Sequence, residues 1–329
     1  MIPRPIVDVH CDLLSYLAKD EKRSAYDRAV RCSIPQMRAG CVIGQILPVF
    51  TFTAPRSSRL GWMQANLFKS LPCLYPDAFE IIHNAKQWQP LSKDKIGIMP
   101  AFENASSFCD EEESLEEAWQ RLMEYERKWA KIVYISLTWN TENRFGGGAE
   151  TSVGLKDDGK RLLQLLHQKH IAVDLSHASD ALAHDIFSYL EQQQLQIPVM
   201  ASHSNFRSVS PHHRNLTDEI AKEIIRREGV IGLNFIQPFV GEIGNVAKHL
   251  EHGLRLNGDK HLCFGADFYY EEDVKLSEEP FFSSYPNSGS YPELIRFWKQ
   301  QLSIADGVLD QISHMNMRKF LLAQIFSHS

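Results

Sequence analysis

Short apolar runs alternate along this chain with longer segments whose apolar residues recur at helical spacing. The runs are largely β-branched and apolar on successive positions, a pattern typical of strands that are buried on both faces. Eight such runs occur, at 6–9, 42–50, 96–102, 132–139, 171–175, 199–201, 230–235 and 262–266. Amphipathic segments that predict helices lie between them, at 114–128, 157–168, 180–192, 217–227 and 245–256.

Eight strands, each followed by a crossover segment, predict a TIM (β/α)8 barrel rather than an open sheet. No linker rich in Pro, Gly or Ser divides the chain, so we predict a single domain over residues 1–329. Residues 271–290 are rich in Ser, Pro, Gly and aromatics and predict a long loop over the barrel mouth. Residues 292–326 predict two extra C-terminal helices.

The composition narrows the classes of function. The chain is 43% hydrophobic and 23% charged, as in ordinary globular proteins, and its net charge is -6. No segment concentrates Lys and Arg, so nucleic acid is not an expected partner. The N-terminal segment has no apolar run of signal-peptide type and no other segment approaches a membrane span, so we expect a cytoplasmic protein without a membrane partner. Its six cysteines lie far apart and are expected to be reduced packing residues.

The first predicted strand ends in a group of polar residues. Along Asp8-Val9-His10-Cys11-Asp12, two-residue alternation places Asp8, His10 and Asp12 on one face and turns Val9 outward. Inside a barrel such a group needs a cation or hydrogen bonds to satisfy it. Taken alone, the motif is more often the solvated end of a surface strand.

Polar residues of the same kinds follow four other predicted strands: Glu103, His177, His203 and Asp267. In a TIM barrel all these strand ends meet at the C-terminal face, where the catalytic groups of the fold lie. Two divalent ions that share one carboxylate would suit five of these residues: His10, Asp12, Glu103, His177 and His203. This mixture of nitrogen and oxygen ligands favours zinc, with manganese or cobalt as substitutes.

Five motifs follow one another along the chain: Asp8-Val9-His10-Cys11-Asp12-Leu13, Ala101-Phe102-Glu103-Asn104, Asp174-Leu175-Ser176-His177, Ser202-His203-Ser204-Asn205 and Phe264-Gly265-Ala266-Asp267-Phe268. In these motifs, and in their order over nearly the whole chain, the sequence resembles the membrane (renal) dipeptidase family, the M19-type metallopeptidases. The resemblance implies a barrel with two zinc ions at the C-terminal face of the strands. It also implies hydrolysis of the amide bond of dipeptides by a hydroxide that bridges the metals, and a homodimer.

The same resemblance implies a role for each metal ligand. His10 and Asp12 would bind one zinc, His177 and His203 would bind the other, and Glu103 would bridge both. Two further residues follow from the motifs. Asp267 would orient or deprotonate the bridging water as a catalytic group alongside Glu103. Arg214, in the segment His213-Arg214-Asn215-Leu216, would hold the terminal carboxylate of the substrate, for which a guanidinium fork is well suited.

Two positions depart from the family's pattern. Where many members have Leu-Thr-His, this chain has Leu137-Thr138-Trp139-Asn140, and an indole N–H can donate a hydrogen bond but cannot take up a proton. We expect Trp139 and Asn140 to contact the substrate and Trp139 to make the pocket narrower and more apolar. The segment Phe268-Tyr269-Tyr270 stands where Asp-Gly is common, which alters the pocket wall. The segment Gly146-Gly147-Gly148, which follows Trp139 and Asn140 along the chain, lacks the Lys of a phosphate-binding loop. We expect it to be a flexible loop.

Two other functions compete with the dipeptidase. Other metal-dependent amidohydrolases commonly begin their site with His-x-His on strand one and often bridge their metals with a carbamylated Lys on strand four. Here strand one has His10-Cys11-Asp12, and residues 132–139 contain no Lys. A catalytically silent barrel that binds small molecules is the other alternative, favoured by Trp139. The helical pair His249 and His252 is expected to be solvated surface.

Overall fold

The computed structural model describes residues 4–84, 87, 95–274 and 279–327. Within them one parallel sheet contains β1 (Ile6–Asp8), β2 (Val42–Phe50), β3 (Phe79–Ile81), β4 (Ile96–Glu103), β5 (Tyr134–Ser136), β6 (Ala172–Asp174), β7 (Val199–Ala201), β8 (Val230–Leu233) and β9 (Leu262–Phe264). Because β1 pairs with both β2 and β9, and β2 pairs with β4, eight strands close into a barrel. The short β3 lies outside this ring, beside the first half of β4.

Helices follow the strands around the outside of the barrel. They are α1 (Leu13–Lys19), α2 (Ile34–Ala39), α3 (Ser57–Leu74), α4 (Leu115–Lys128), α5 (Asp157–Lys169), α6 (Asp180–Gln192), α7 (Asp218–Arg226), α8 (Gln237–Val240), α9 (Asn245–Arg255) and α10 (Tyr291–Leu302). Several begin at a side-chain cap that the sequence provides. Ser114, Ser179 and Thr217 accept hydrogen bonds from backbone N–H groups in the first turns of α4, α6 and α7.

The chain ends in a second helical segment that closes the barrel. It consists of α11 (Asp306–Asp310) and α12 (Asn316–Phe320), with π-helical turns at Gln311–Met315 and Leu321–Ile325. Its buried side chains Met317, Phe320 and Ile325 pack with the inward-facing residues of the strands, such as Val7 and Met200. Since Asn316 Nδ2 donates to the carbonyl of Leu262, where β9 begins, this segment covers the N-terminal end of the barrel. The C-terminal ends of the strands, at the other end of the barrel, are therefore left open for a functional site.

The TIM barrel predicted from the sequence is confirmed, and so are the two C-terminal helices. The predicted strand at 132–139 is shorter in the structure, where only Tyr134–Ser136 is extended and paired. Of the predicted loop at 271–290, the described part is largely irregular and buries Phe281 and Phe282, while residues 275–278 lie outside the described residues, as do residues 1–3. All six cysteines are described and free, and four of them are buried. Among the described helices none is long and apolar enough to cross a membrane.

Candidate metal centre and substrate pocket

The C-terminal ends of the strands bring the predicted ligand side chains together around Glu103. One carboxylate oxygen of Glu103 lies 3.2 Å from His10 Nε2, and the other lies 2.7 Å from His177 Nε2 and 3.9 Å from His203 Nε2. The ligand atoms of His10, Asp12 and Asp267 form a second group, all within 4.8 Å of one another. Glu103 therefore stands between two sets of ligands, which is the position that a bridging carboxylate requires.

Each of the three histidines is held through its Nδ1 atom. His10 Nδ1 lies 2.8 Å from Tyr134 Oη, and Tyr134 donates its own proton to the carbonyl of Val9. His203 Nδ1 lies 2.8 Å from Ser202 Oγ. Because Ser202 donates to Asp174, its oxygen is free to accept from the histidine.

The third histidine, His177, has its Nδ1 2.8 Å from the side-chain oxygen of Asn140. All three rings therefore carry their proton on Nδ1 and turn the Nε2 lone pair toward the centre. A hydrogen-bonded Nδ1 that fixes the ring in this way is the usual arrangement behind a histidine that binds a metal.

The arrangement of these lone pairs fits a divalent cation. His177 Nε2 and His203 Nε2 are only 2.8 Å apart, so two lone pairs face one another beside a carboxylate. His10 Nε2 is buried, and no described residue forms a hydrogen bond with it. Without a cation or additional protons this cluster is repulsive. The mixed imidazole and carboxylate set suits zinc and the neighbouring divalent transition metals.

The shifted pKa values of the metal-free site also indicate that a cation belongs there. Burial raises the pKa of Asp12 to about 7 and the pKa of Glu103 and of Asp267 to about 8. Burial also lowers the pKa of His177 and His203 well below the ordinary histidine value. Buried carboxylates at neutral pH thus lack a compensating charge, which a bound cation would supply.

Asp8 does not join this cluster, and the alternation predicted for the first strand is wrong at Asp8 and Val9. Val9 faces the barrel interior, whereas Asp8 points outward and accepts hydrogen bonds from Tyr291 Oη and the N–H of Ala266. The strand ends at Asp8, so the two-residue period does not continue to His10. Asp8 thereby anchors α10 to the barrel.

Asp267 occupies a strained backbone position at the centre. Its φ of 62° is uncommon for a residue with a side chain and is typical of functional sites. Asn234 Nδ2 donates to Asp267 Oδ2 at 3.0 Å, while Oδ1 lies 3.7 Å from His10 Nε2. One carboxylate oxygen is therefore held, and the other faces the cluster of ligands.

A cavity of about 160 Å³ opens above these residues. Its lining combines the polar Asp12, Glu103, Asn140, Glu150, His177, Arg214 and Asp267 with the apolar Phe50, Trp139, Ile236, Phe239, Tyr269 and Val274. Every residue that the sequence predicted to contact substrate lies in this lining. Phe50 and the exposed Glu150 were not predicted, because neither belongs to a recognisable motif.

Arg214 is a buried cation that has nearby carboxylates, Asp267 and Glu103, but forms no direct ion pair with any of the described residues. Its side chain is 3% exposed, and its Nε and Nη1 atoms have no hydrogen-bond partner among the residues that the structure describes. Nη2 lies 3.2 Å from His177 Nε2, and the guanidinium carbon lies 5.4 Å from the centre of the Phe239 ring. A buried guanidinium with free donors at a cavity wall is suited to bind a carboxylate.

Trp139 and Asn140 both line the cavity but act differently. The Trp139 ring contacts Phe50 and Phe52, at centroid distances of 5.7 and 5.0 Å, and lies 5.8 Å from the His177 ring. Asn140 reaches behind the cavity wall to His177 Nδ1, a role that the sequence did not indicate. The expectation that Asn140 contacts the substrate came only from its place next to Trp139 in the segment Leu137-Thr138-Trp139-Asn140.

Two further expectations of the sequence are wrong. His249 is buried, with its ring between the N–H of Phe206 and the carbonyl of Val240, and His252 pairs with Asp218. The Gly-rich segment is packed rather than flexible. A Cβ atom on Gly148 would lie 1.9 Å from the carbonyl oxygen of Trp139, so only glycine allows this approach.

Comparison with known proteins identifies the family. Residues 1–286 match the family described as membrane dipeptidase (peptidase family M19). The chain belongs to the membrane dipeptidase family. The assignment made from the five motifs is confirmed, and the protein is a hydrolase of the M19 metallo-dipeptidase type.

Relatives of known sequence and structure agree with this membership. An uncharacterized dipeptidase of Schizosaccharomyces pombe is 23% identical over 299 residues, 80% of this chain and 69% of the relative. A metallo peptidase from Rhodobacter sphaeroides, solved with a phosphinate mimic of the dipeptide L-Ala-D-Ala, superposes with a TM-score of 0.81 at 19% identity, covering 98% of this chain and 99% of its own. A probable dipeptidase from Pseudomonas aeruginosa gives a TM-score of 0.76 at 12% identity, covering 98% and 96%. These structures share the fold.

Proposed function

We propose that this membrane dipeptidase relative is a zinc-dependent dipeptidase with two zinc ions per chain, for which manganese or cobalt can substitute. The observation that carries the proposal is the convergence of three Nε2 lone pairs on Glu103, next to the unpaired guanidinium of Arg214. When bound, the two ions would supply a bridging hydroxide at neutral pH and polarise the scissile carbonyl. His10 and Asp12 would hold one ion, His177 and His203 the other, and Glu103 both.

Arg214 fixes the orientation of the substrate. Its free Nε or Nη1 donor, together with the second proton of the adjacent Nη2, would bind the terminal carboxylate of a dipeptide, which places the amide bond over the ligand cluster. Such a contact also selects the amide bond next to a free C-terminal carboxylate over a peptide bond inside a longer chain. The cavity of about 160 Å³ is suited to a small substrate of this kind.

Asp267 is positioned to move the proton. Because Asn234 holds Oδ2, the free Oδ1 faces the ligand cluster, where it would take a proton from the attacking water and deliver it to the departing amine nitrogen. A single carboxylate would thus carry the proton from the water to the leaving amine and end the reaction ionised again. No covalent intermediate with the protein is needed.

A dipeptide panel after metal removal tests the proposal. The protein is stripped with a chelator and assayed with zinc, manganese or cobalt on L,L-dipeptides, dipeptides with a C-terminal D-residue and N-acylated amino acids. We expect turnover that returns with metal and two bound ions per chain by metal analysis. Glu103→Gln should lose both metal and activity. Glu142→Gln, which changes an exposed carboxylate paired with Lys156, should lose neither.

The same panel separates the alternatives. Turnover of cyclic amides or lactones without turnover of any dipeptide would favour another amidohydrolase. Two bound metals without turnover of either class would indicate a silent barrel. Strand β5 carries Tyr134, Ile135 and Ser136 and no Lys, so it offers no carbamylated bridge of the amidohydrolase kind.

A further inference from the structure

A second cavity adjoins the catalytic one. Its volume is about 130 Å³, and it shares Phe50 and Val274 with the lining of the catalytic cavity. We call it the outer cavity; its other apolar walls are Ala18 of α1, Phe52, and Leu60 and Met63 of α3. The two cavities therefore adjoin at Phe50 and Val274, and the outer cavity lies on the side of α1 and α3.

The order of the strands places the outer cavity opposite Arg214. Around the ring the strands follow as β1, β2, β4, β5, β6, β7, β8 and β9, so β2 and β7 lie four steps apart in either direction. Phe50 is the last residue of β2, and Arg214 lies in the segment after β7. A dipeptide whose carboxylate is bound by Arg214 and whose amide lies over Glu103 would therefore direct its N-terminal residue toward the β2 side of the barrel, where Phe50 lies.

Aromatic rings lie at the boundary between the two cavities. The rings of Phe50 and Phe52 are 5.1 Å apart, and Trp139 completes a three-ring cluster with both. On the far side, Phe52, Leu60 and Met63 are 47%, 56% and 48% exposed. Three large apolar side chains exposed next to one another at a cavity are typical of a surface that binds an apolar group.

The polar side chains around the outer cavity are already engaged. Asp273 receives two hydrogen bonds from Arg23 and an ion pair from Lys19 at 3.3 Å. The side chain of Gln64 hydrogen-bonds to both the N–H and the carbonyl of Phe50. Since these groups are satisfied by the protein, the outer cavity offers a ligand mainly apolar contact.

We propose that the outer cavity receives the side chain of the substrate's N-terminal residue and selects bulky apolar side chains at that position. The inference rests on the proposed dipeptidase function and names the substrate class of the same site. Removing an aromatic or large aliphatic side chain from water in this cavity should raise kcat/KM about tenfold over glycine. The C-terminal residue, held on the side of Arg214, gains nothing from these walls.

Mirrored dipeptides test the proposal on the zinc-loaded protein. For the wild type we expect kcat/KM for Trp-Ala to exceed that for Gly-Ala about tenfold. The double variant Leu60→Gln with Met63→Gln should lower kcat/KM for Trp-Ala about fivefold, with Gly-Ala and Ala-Trp changed by less than about twofold. Both positions are exposed, and unchanged hydrolysis of Gly-Ala shows that the variant is folded.

Leu74→Gln is the matched control, because Leu74 lies on the same helix, has the same 56% exposure as Leu60 and does not line the outer cavity. It should leave all three substrates unchanged. Equal hydrolysis of Trp-Ala and Gly-Ala by the wild type would overturn the inference and leave the dipeptidase function intact. A loss on Ala-Trp instead of Trp-Ala would overturn it too, whereas failure of the wild type on every dipeptide would overturn the proposed function itself.

Discussion

At the scale of single residues, the tautomer of each histidine is set by an oxygen outside the metal centre. Tyr134, Asn140 and Ser202 accept from the Nδ1 atoms of the three histidines. Ser202 belongs to a longer chain, because it donates to Asp174, which also accepts from Ser136 at 2.6 Å. These residues orient the rings before any ion binds, so the ligands need little rearrangement.

Asp267 is expected to act in the chemical step more than in binding. Asp267→Asn keeps the size of the side chain but removes the base, so kcat should fall by about 10²-fold or more with little change in KM. Steady-state kinetics on Ala-Ala measures both constants, with metal analysis to show that occupancy is retained. Full turnover by the variant would exclude Asp267 as the proton carrier.

Arg214 is expected to contribute binding. Arg214→Lys keeps the charge but loses the planar fork, so KM should rise about tenfold or more while kcat changes less. The measurement compares a free dipeptide with its C-terminal amide in both proteins. The wild type should prefer the free acid, and the variant should lose much of this preference. If the wild type hydrolysed the amide equally well, the carboxylate role would be wrong.

Substitutions of Trp139 test how the oxyanion is stabilised when Trp stands where many family members have His. Trp139→Phe keeps an aromatic ring against Phe50 and Phe52 and removes the indole N–H together with the smaller of its two rings. If the metals carry most of the charge of the oxyanion, kcat should fall less than about tenfold. Trp139→Ala should instead change which side chains are accepted. Complete loss of turnover in Trp139→Phe, with two ions still bound, would make the N–H an essential donor.

At the scale of elements, the site depends on loops that are held tightly after short strands. Asn143 donates to the carbonyl of Leu137 and to Asn104, and its own oxygen accepts from the N–H groups of Phe145 and Gly146. This folds the loop after β5 back onto the barrel. It brings Asn140 within reach of His177 and fixes Trp139 at the cavity.

The C-terminal helical segment is the element that closes the other end. Phe320 is 3% exposed among the inward-facing strand residues, so Phe320→Ala should lower the free energy of unfolding by about 3–5 kcal/mol. Urea denaturation measures this loss. Leu322→Ala, at a position 36% exposed on the same segment, should cost much less. Equal losses in both variants would show that this segment does not pack in the barrel as described.

At the scale of the whole molecule, the buried charges make stability depend on pH when metal is absent. Asp12, Glu103 and Asp267 have pKa values of about 7, about 8 and about 8, against about 4 for carboxyls in an unfolded chain. Between about pH 6.5 and pH 8 the native state therefore binds more protons than the unfolded state. Its free energy of unfolding should fall as pH rises through this range.

Urea denaturation in the presence of a chelator, at several values across that range, checks this prediction. The lowered pKa values of His177 and His203 act in the opposite direction, mainly below about pH 7, where an unfolded histidine is increasingly protonated; above it the three carboxyls dominate. Zinc should remove the decline, because the ionised carboxylates then bind it. A metal-free protein that gains stability from pH 6.5 to pH 8 would contradict the account.

The sequence by itself determined the barrel and the candidate ligands that meet at its C-terminal face. Buried parallel strands need continuous apolar runs, and a histidine or carboxylate directly after such a run must lie at the shared C-terminal face. Glu103, His177 and His203 could be placed from this rule alone. His10 and Asp12 were also placed correctly, although the alternation used for them failed at Asp8.

Only the tertiary structure decided which neighbours each side chain meets. Tyr134 lies within an apolar run and Asn140 within a loop, so nothing local shows that both hold histidines more than thirty residues away in sequence. His249 has the spacing of a surface residue but is buried against Phe206. The outer cavity likewise joins residues of β2, α1 and α3 with Val274. Such contacts depend on how segments far apart in sequence pack together. A periodic pattern of apolar residues shows which face of an element is buried but not which other segment covers it.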